Sequence, residues 1–141
     1  MFDEARYREY LHHFNKPDHE TLHREFFAPD VELVTLGNVL RGQEGIRKFY
    51  AYFHSCVREH IDLIKFYPTE GGAWVHVAMR LEAFEDLTEQ GLANIGIQRM
   101  PAIPKGTVYE NEMFIHYQLN SEGKLGLLRC AEYIPPMNVI E

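Results

Sequence analysis

Apolar positions in the first fifteen residues fall at Tyr7, Tyr10, Leu11 and Phe14, a spacing that gathers them on one face of a helix. Asn15-Lys16-Pro17-Asp18 interrupts this pattern, with Pro17 suited to a first helical position and Asp18 to a cap. A second, shorter helix then carries Leu22, Phe26 and Phe27 on its apolar side, and Ala28-Pro29-Asp30 ends it. Alternation of period two over residues 31–37 predicts a strand, which returns through 37–42 after a glycine-containing turn. Residues 42–60 read as a third helix with Ile46, Phe49, Tyr50, Phe53 and Val57 on one side.

From Ile61 the period is two again. Residues 61–67 and 73–84 form a hairpin of long strands around Glu70-Gly71-Gly72. Residues 85–105 break the pattern with two prolines and two glycines, and a loop of that length is commonly functional or a lid. Residues 106–120 and 123–134 make a second hairpin around Asn120-Ser121-Glu122-Gly123, and 135–141 trail outside the sheet. There is no internal repeat and no linker. Helices followed by mostly antiparallel strands, in one domain over 1–141, is an α+β plan.

Composition narrows the function. Apolar residues make up 45% of the 141, which excludes disorder, and 9 Phe, 8 Tyr and 1 Trp would suit a lined hollow or a solid core equally well. A net charge of -7 without any basic block argues against nucleic acid as a partner. No run is apolar enough to span a bilayer, and the charged start does not read as a signal peptide. Cys56 and Cys130 form no CxxC pair and read as buried thiols in a reducing compartment, so the expected location is the cytoplasm.

His19-Glu20-Thr21-Leu22-His23 matches the HExxH pattern of zinc hydrolases. The helix there starts at Pro17 or Asp18, however, which leaves His19 in its first turn, and no third histidine follows at metzincin spacing. No metal site is expected. Nucleophile-elbow, phosphate-loop and dinucleotide motifs are lacking, so no cofactor is expected either.

Three local features, in order and covering nearly the whole chain, resemble the nuclear transport factor 2-like superfamily and its SnoaL-like branch. They are the FNKPDHETLHREFFAPDVEL passage from helices to strand, the LRGQEGIRKFY strand-to-helix turn and the NSEGKL hairpin. The resemblance implies a strongly bent, mostly antiparallel sheet wrapped on three N-terminal helices as a cone-shaped barrel with a pocket at one end. It also implies a homodimer through the outer sheet face. Enzymes and binding-only proteins share this fold, so the fold does not supply the function. By comparison with ketosteroid isomerase, the oxyanion tyrosine falls at Tyr10, the general-base aspartate position at Thr35 and the second oxyanion acid at Ile115. Two of the three groups are replaced, so that mechanism is not expected.

Strand alternation sorts the side chains within such a cone. Val75, Val77, Met79 and Leu81 should face inward, with Trp74, His76, Arg80 and Glu82 outward. Tyr109, Asn111, Met113, Ile115 and Tyr117 form the more apolar set of their strand, and Leu128, Cys130 and Glu132 share a side in the last one. Glu132 is then the one inward carboxylate that parity places. Enclosure would desolvate its charged form and raise its pKa toward the range useful for proton transfer, while Tyr10, Tyr109 and Asn111 would hold a carbonyl. Arg41 and Tyr50 are expected at the rim, and Phe14, Thr35, Phe53, Met79, Met113, Leu128 and Cys130 against the substrate.

Plainer roles stay open for each. Glu132 could be solvated or neutralise Arg41, Tyr10 could be a core residue, Asn111 a bulge residue and Tyr109 a rim aromatic. The leading expectation is a cofactor-independent isomerase, cyclase or dehydratase acting on a hydrophobic, carbonyl-bearing small molecule, polyketide-, terpenoid- or steroid-like. The rival is a non-catalytic ligand-binding or scaffold protein of the same fold. A deep cavity with an enclosed Glu132 favours the first; a filled cone or a Glu132 in bulk water counts against it.

Overall fold

The computed structural model describes residues 1–140; Glu141, the last residue of the expected tail, lies outside the described residues. Helix α1 (Glu4–Asn15) starts where the Asp3 side chain accepts a hydrogen bond from the Arg6 amide at 2.9 Å, and it buries Tyr7, Tyr10, Leu11 and Phe14. Asp18 caps α2 (His19–Glu25) by the same chemistry. The second helix is shorter than its pattern suggested, because Phe26 is already its C-cap and Phe27 opens strand β1 (Phe27–Thr35).

β1 therefore begins four residues before the expected 31, across Pro29, which was read as a terminator. Proline fits there because the register between β1 and its neighbour breaks between Phe27 and Glu32, where no ladder bond is asked of residue 29. β2 (Asn38–Arg41), α3 (Gly42–Cys56), β3 (Val57–Thr69), β4 (Gly72–Ala83), α4 (Glu89–Asn94), β5 (Val108–Leu119) and β6 (Leu125–Tyr133) complete the order.

The second boundary correction matters more for the site. The third helix was expected to run to residue 60, yet α3 ends at Cys56 and Val57 is already extended, at φ -132° and ψ 133°. β-Branched Val57 opens a run in which Val57 and Ile61 are buried while Arg58, His60 and Asp62 are exposed, a strand period rather than a helical one. Glu59 shares the buried side.

The six strands form one open sheet in the order β2-β1-β6-β5-β4-β3, antiparallel throughout except for the parallel β1–β6 pair. α1 packs on β3 and α3 on β1, so the helices cover one face. β3 is an edge strand, and Asn15 at the end of α1 acts as its missing partner. The Asn15 amide donates to the Ile61 carbonyl and its oxygen accepts from the Ile61 amide, both at 2.9 Å. The alternation in β4 is as expected, with Val75, Val77 and Leu81 buried inward and Trp74 exposed outward.

Residues 85–105 are not a bare loop. α4 lies within them, Leu87 bridges Ile103, and Leu87, Leu92 and Ile97 are buried with Phe49 and Phe53 in a second core. The Asn38 side chain fixes the far side of this segment, donating to the Gln98 carbonyl and accepting from the Gln98 amide. No helix among the described residues is long and apolar enough to cross a membrane.

Candidate active site

A cavity of about 420 Å³ opens inside the bent sheet. Its inner end is aromatic. Tyr10, Phe14 and Tyr117 are buried there, and the Tyr117 hydroxyl is shared with that of Tyr7 at 3.0 Å. Burial drives the Tyr10, Tyr50 and Tyr117 hydroxyls well above the ordinary tyrosine pKa, so each is a neutral donor at any working pH. The Cys130 thiol is pushed up to about 12 by burial, which leaves it protonated and poorly nucleophilic.

Of the residues expected to contact substrate, Phe14, Thr35, Tyr50, Phe53, Met79, Met113, Leu128 and Cys130 all line the cavity. Arg41 does not. Its side chain is 80% exposed and its Nε donates to Glu32 at 2.8 Å, on the neighbouring strand outside the cavity. Ile134 lies beyond the end of β6 and is exposed.

Tyr109, Asn111 and Glu132 come together at the mouth. The Tyr109 hydroxyl and Asn111 Nδ2 both donate to Glu132 Oε1, the latter at 3.0 Å, which leaves Oε2 to meet a ligand. The hydrogen bond to Glu132 holds Tyr109 in its protonated form and raises its pKa. Asn111 Oδ1 is buried and has no partner among the described residues. Parity was right about direction and silent about depth: Glu132 and Tyr109 are exposed at the rim, not enclosed as expected. Residues 100–104 border the cavity, so the segment expected to close over the pocket does border it.

A second carboxylate stands on the cavity wall, one that the sequence reading placed in a helix. Glu59 faces in from β3, its side chain 10% exposed, and its Oε1 meets His54 Nε2 at 2.9 Å. The His54 ring lies on Tyr50 at a centroid distance of 4.9 Å, and Tyr50 in turn stacks on His19 at 4.8 Å. In cross-strand register Glu59 faces Leu81, and Leu81 faces Tyr109. Two strand spacings, about 10 Å, therefore separate Glu59 from the tyrosine that holds Glu132.

The HExxH pattern is used otherwise. Glu20 accepts from Arg47 at 2.9 Å on the surface, His19 packs against both Tyr50 and His54, and His23 meets Phe27 edge-on. Among the described residues no three His, Cys, Asp or Glu side chains converge as metal ligands.

No family model and no curated protein sequence matches the chain. Solved structures match it in shape. A nuclear transport factor 2-like (NTF2-like) protein of unknown function from Burkholderia pseudomallei superposes with a TM-score of 0.66 over 89% of this chain and 86% of its own, at 14% identity. The chain has the NTF2-like fold. A proposed polyketide cyclase from Pseudomonas putida gives 0.68 at 15% identity, over 86% of this chain and 84% of the other. SalBIII, an epoxide hydrolase/cyclase-like enzyme in pyran ring formation in the polyether salinomycin, gives 0.69 at 16% identity over 95% of both chains. At such identities the likeness carries architecture alone. Within this NTF2-like cone Thr35 and Ile115 line the cavity without a carboxylate, and the acids that do stand there are Glu132 and Glu59.

Proposed function

We propose that the cone binds a hydrophobic, carbonyl-bearing small molecule and, without a cofactor, shuttles protons on it, in an isomerisation, dehydration or ring closure. The observation that carries this reading is the mouth cluster. A cavity walled by aromatic and aliphatic side chains ends in one carboxylate, Glu132, already oriented by Tyr109 and Asn111. In this reading Glu132 exchanges a proton at the substrate oxygen through Oε2, Tyr109 holds the carboxylate through Oε1, and the second N–H of Asn111 holds the substrate oxygen as charge develops. The cyclase-type descriptions of structural neighbours support a polyketide-like substrate.

A bicyclic ketone with acidic α-hydrogens, 2-tetralone, serves as probe, with α-hydrogen exchange in D2O followed by proton NMR. The protein should accelerate exchange over buffer, and Glu132→Gln should slow it by about 10- to 100-fold. Exchange unchanged in that variant removes Glu132 from the chemistry. The exposure of Glu132, with one oxygen already satisfied, favours a second reading, ligand binding without turnover. Binding of 2-tetralone with no acceleration in the unaltered protein would establish that reading instead.

The outer sheet face is proposed as a homodimer contact. Trp74 lies flat on His116 and His76 on Phe114, each pair 4.5 Å apart between centroids, so the face offers rings rather than the aliphatic charge-free patch of a core. Light scattering should give twice the chain mass, and Trp74→Glu should give the chain mass. A monomer in the unaltered protein rejects the contact.

A further inference from the structure

Glu59 stands on the cavity wall away from the mouth, where Glu132 lies. It lines the cone cavity on one side, and on the other it lines a separate surface pocket together with His54, Asn15, Pro17 and Arg80. The residue thus borders both the cone cavity and an outer pocket at the surface. His54 holds it from the outer side through the 2.9 Å contact, and the imidazole is 16% exposed. Facing the pair from the cavity are Tyr10 of α1, Tyr50 of α3 and Cys130 of β6, all neutral. Facing it from outside are Arg58 and His60 of β3 and Arg80 and Glu82 of β4. His19 of α2 lies 4.9 Å from the His54 ring.

A surface ion pair needs none of this. The stability gained from one His–Glu contact is small, whereas placing a carboxylate in an aromatic wall carries a desolvation cost. What the placement does provide is a proton acceptor inside the chamber with an imidazole behind it that can take the proton out.

We propose that Glu59 is the base that removes the carbon-bound proton of the substrate, and that His54 passes this proton to water in the outer pocket. The inference deepens the proton-transfer reading above and rests on it. In the step, the C–H bond next to the carbonyl breaks and its proton goes to Glu59. The electron pair becomes the C=C bond of an enol, and the carbonyl oxygen takes up a proton that Glu132 Oε2 relays from water at the open mouth, Glu132 returning to its carboxylate form. The proton on Glu59 then leaves through His54 or returns to another carbon of the same molecule, so no oxidant, reductant or co-reactant enters. The spacing of about two strands between Glu59 and Tyr109 leaves room for a ring and its carbonyl between base and acid. Tyr50 borders the same space.

The test uses 2-tetralone and deuterium exchange again, with binding followed separately by calorimetry. Glu59→Gln, which keeps the side-chain shape, should bind the ketone within a few-fold of the unaltered protein and exchange it about 100-fold more slowly. His54→Ala should slow exchange about 10-fold, and added imidazole, entering the outer pocket, should restore it; a merely structural histidine would not be rescued. Thermal melts of both variants guard against loss of fold, and Glu59→Asp offers a shorter base if Glu59→Gln melts early. If the unaltered protein exchanges the ketone and Glu59→Gln does so equally, the inference is overturned while the enzyme reading stands. If the unaltered protein binds but does not exchange, both fall. If His54→Ala matches the unaltered protein without imidazole, the relay through His54 is wrong.

Discussion

Lowering the pH from 7 to 4 should cost the fold on the order of 3 kcal/mol through His19 alone. Its imidazole titrates at about 4 in the folded chain against an ordinary value of 6.5, with burial the largest cause and the neighbouring charges of His54 and His23 next. Both ring nitrogens are buried without a partner, so a proton there would find no acceptor to repay its desolvation. Between those two values the unfolded chain binds a proton that the native chain refuses, and stability rises with pH across that window. The contribution is complete above about 6.5, drains as pH falls toward about 4, and is flat below. Burial depresses His23 in the same direction and steepens the slope. Urea titrations at several pH values should show this slope, and His19→Phe, which keeps a ring against Tyr50, should remove most of it. A slope that survives the substitution would assign the acid lability elsewhere.

Gly72→Ala should lose about 3 kcal/mol or more, near the upper end for a single small-to-larger change. A Cβ at Gly72 would lie 2.0 Å from the Tyr117 carbonyl oxygen and 3.0 Å from its carbon. Both are backbone atoms of a central strand and cannot swing aside. Tyr117 is also anchored, buried at the inner end of the cavity and hydrogen-bonded to Tyr7. The neighbouring glycine is the control. Gly71 turns the hairpin with φ at +77° and has open space around it, so Gly71→Ala carries only the left-handed backbone penalty of about 1–2 kcal/mol. Urea midpoints of the two variants measure the difference. Equal losses would mean that the strand gives way at Tyr117, and that the close approach does not set the inner end of the cavity.

The elements were legible wherever a long apolar period ran uninterrupted. α1, α3 from Gly42 and the two long hairpins stand where the period puts them, apart from register shifts at Leu63/Lys65 and Gln118/Leu119, and with them the inward set from Tyr109 to Tyr117. What failed was local. Histidine, arginine and glutamate fit a helix end as readily as a strand, so Val57–Ile61 read as more helix, and that boundary hid Glu59. The signal was present: Val57, Glu59 and Ile61 alternate with three charged or polar residues. Glu132 failed differently. Parity gives the side of a sheet and not the height along a cone, and a residue at the end of β6 points inward at the rim. α4 and the second core were beyond reach, since six helical residues carry too little periodicity to register.

The parallel pairing of β1 with β6 also sets the order in which this chain can be made. Residues 27–34 cannot find residues 125–129 until the intervening strands have been made, and the Leu125 amide, bonded to the Phe26 carbonyl at 2.7 Å, is among the late ties. Until then Tyr7, Tyr10 and Phe14 have a helix to sit on but no strands β5 and β6 to meet. On a ribosome α1 can settle on β3 once residues 57–69 have emerged, but the part of its aromatic face that meets Tyr117 stays uncovered until β5 and β6 follow. Closing so distant a pair is slow, so the β1–β6 ladder is expected to be the late step of folding.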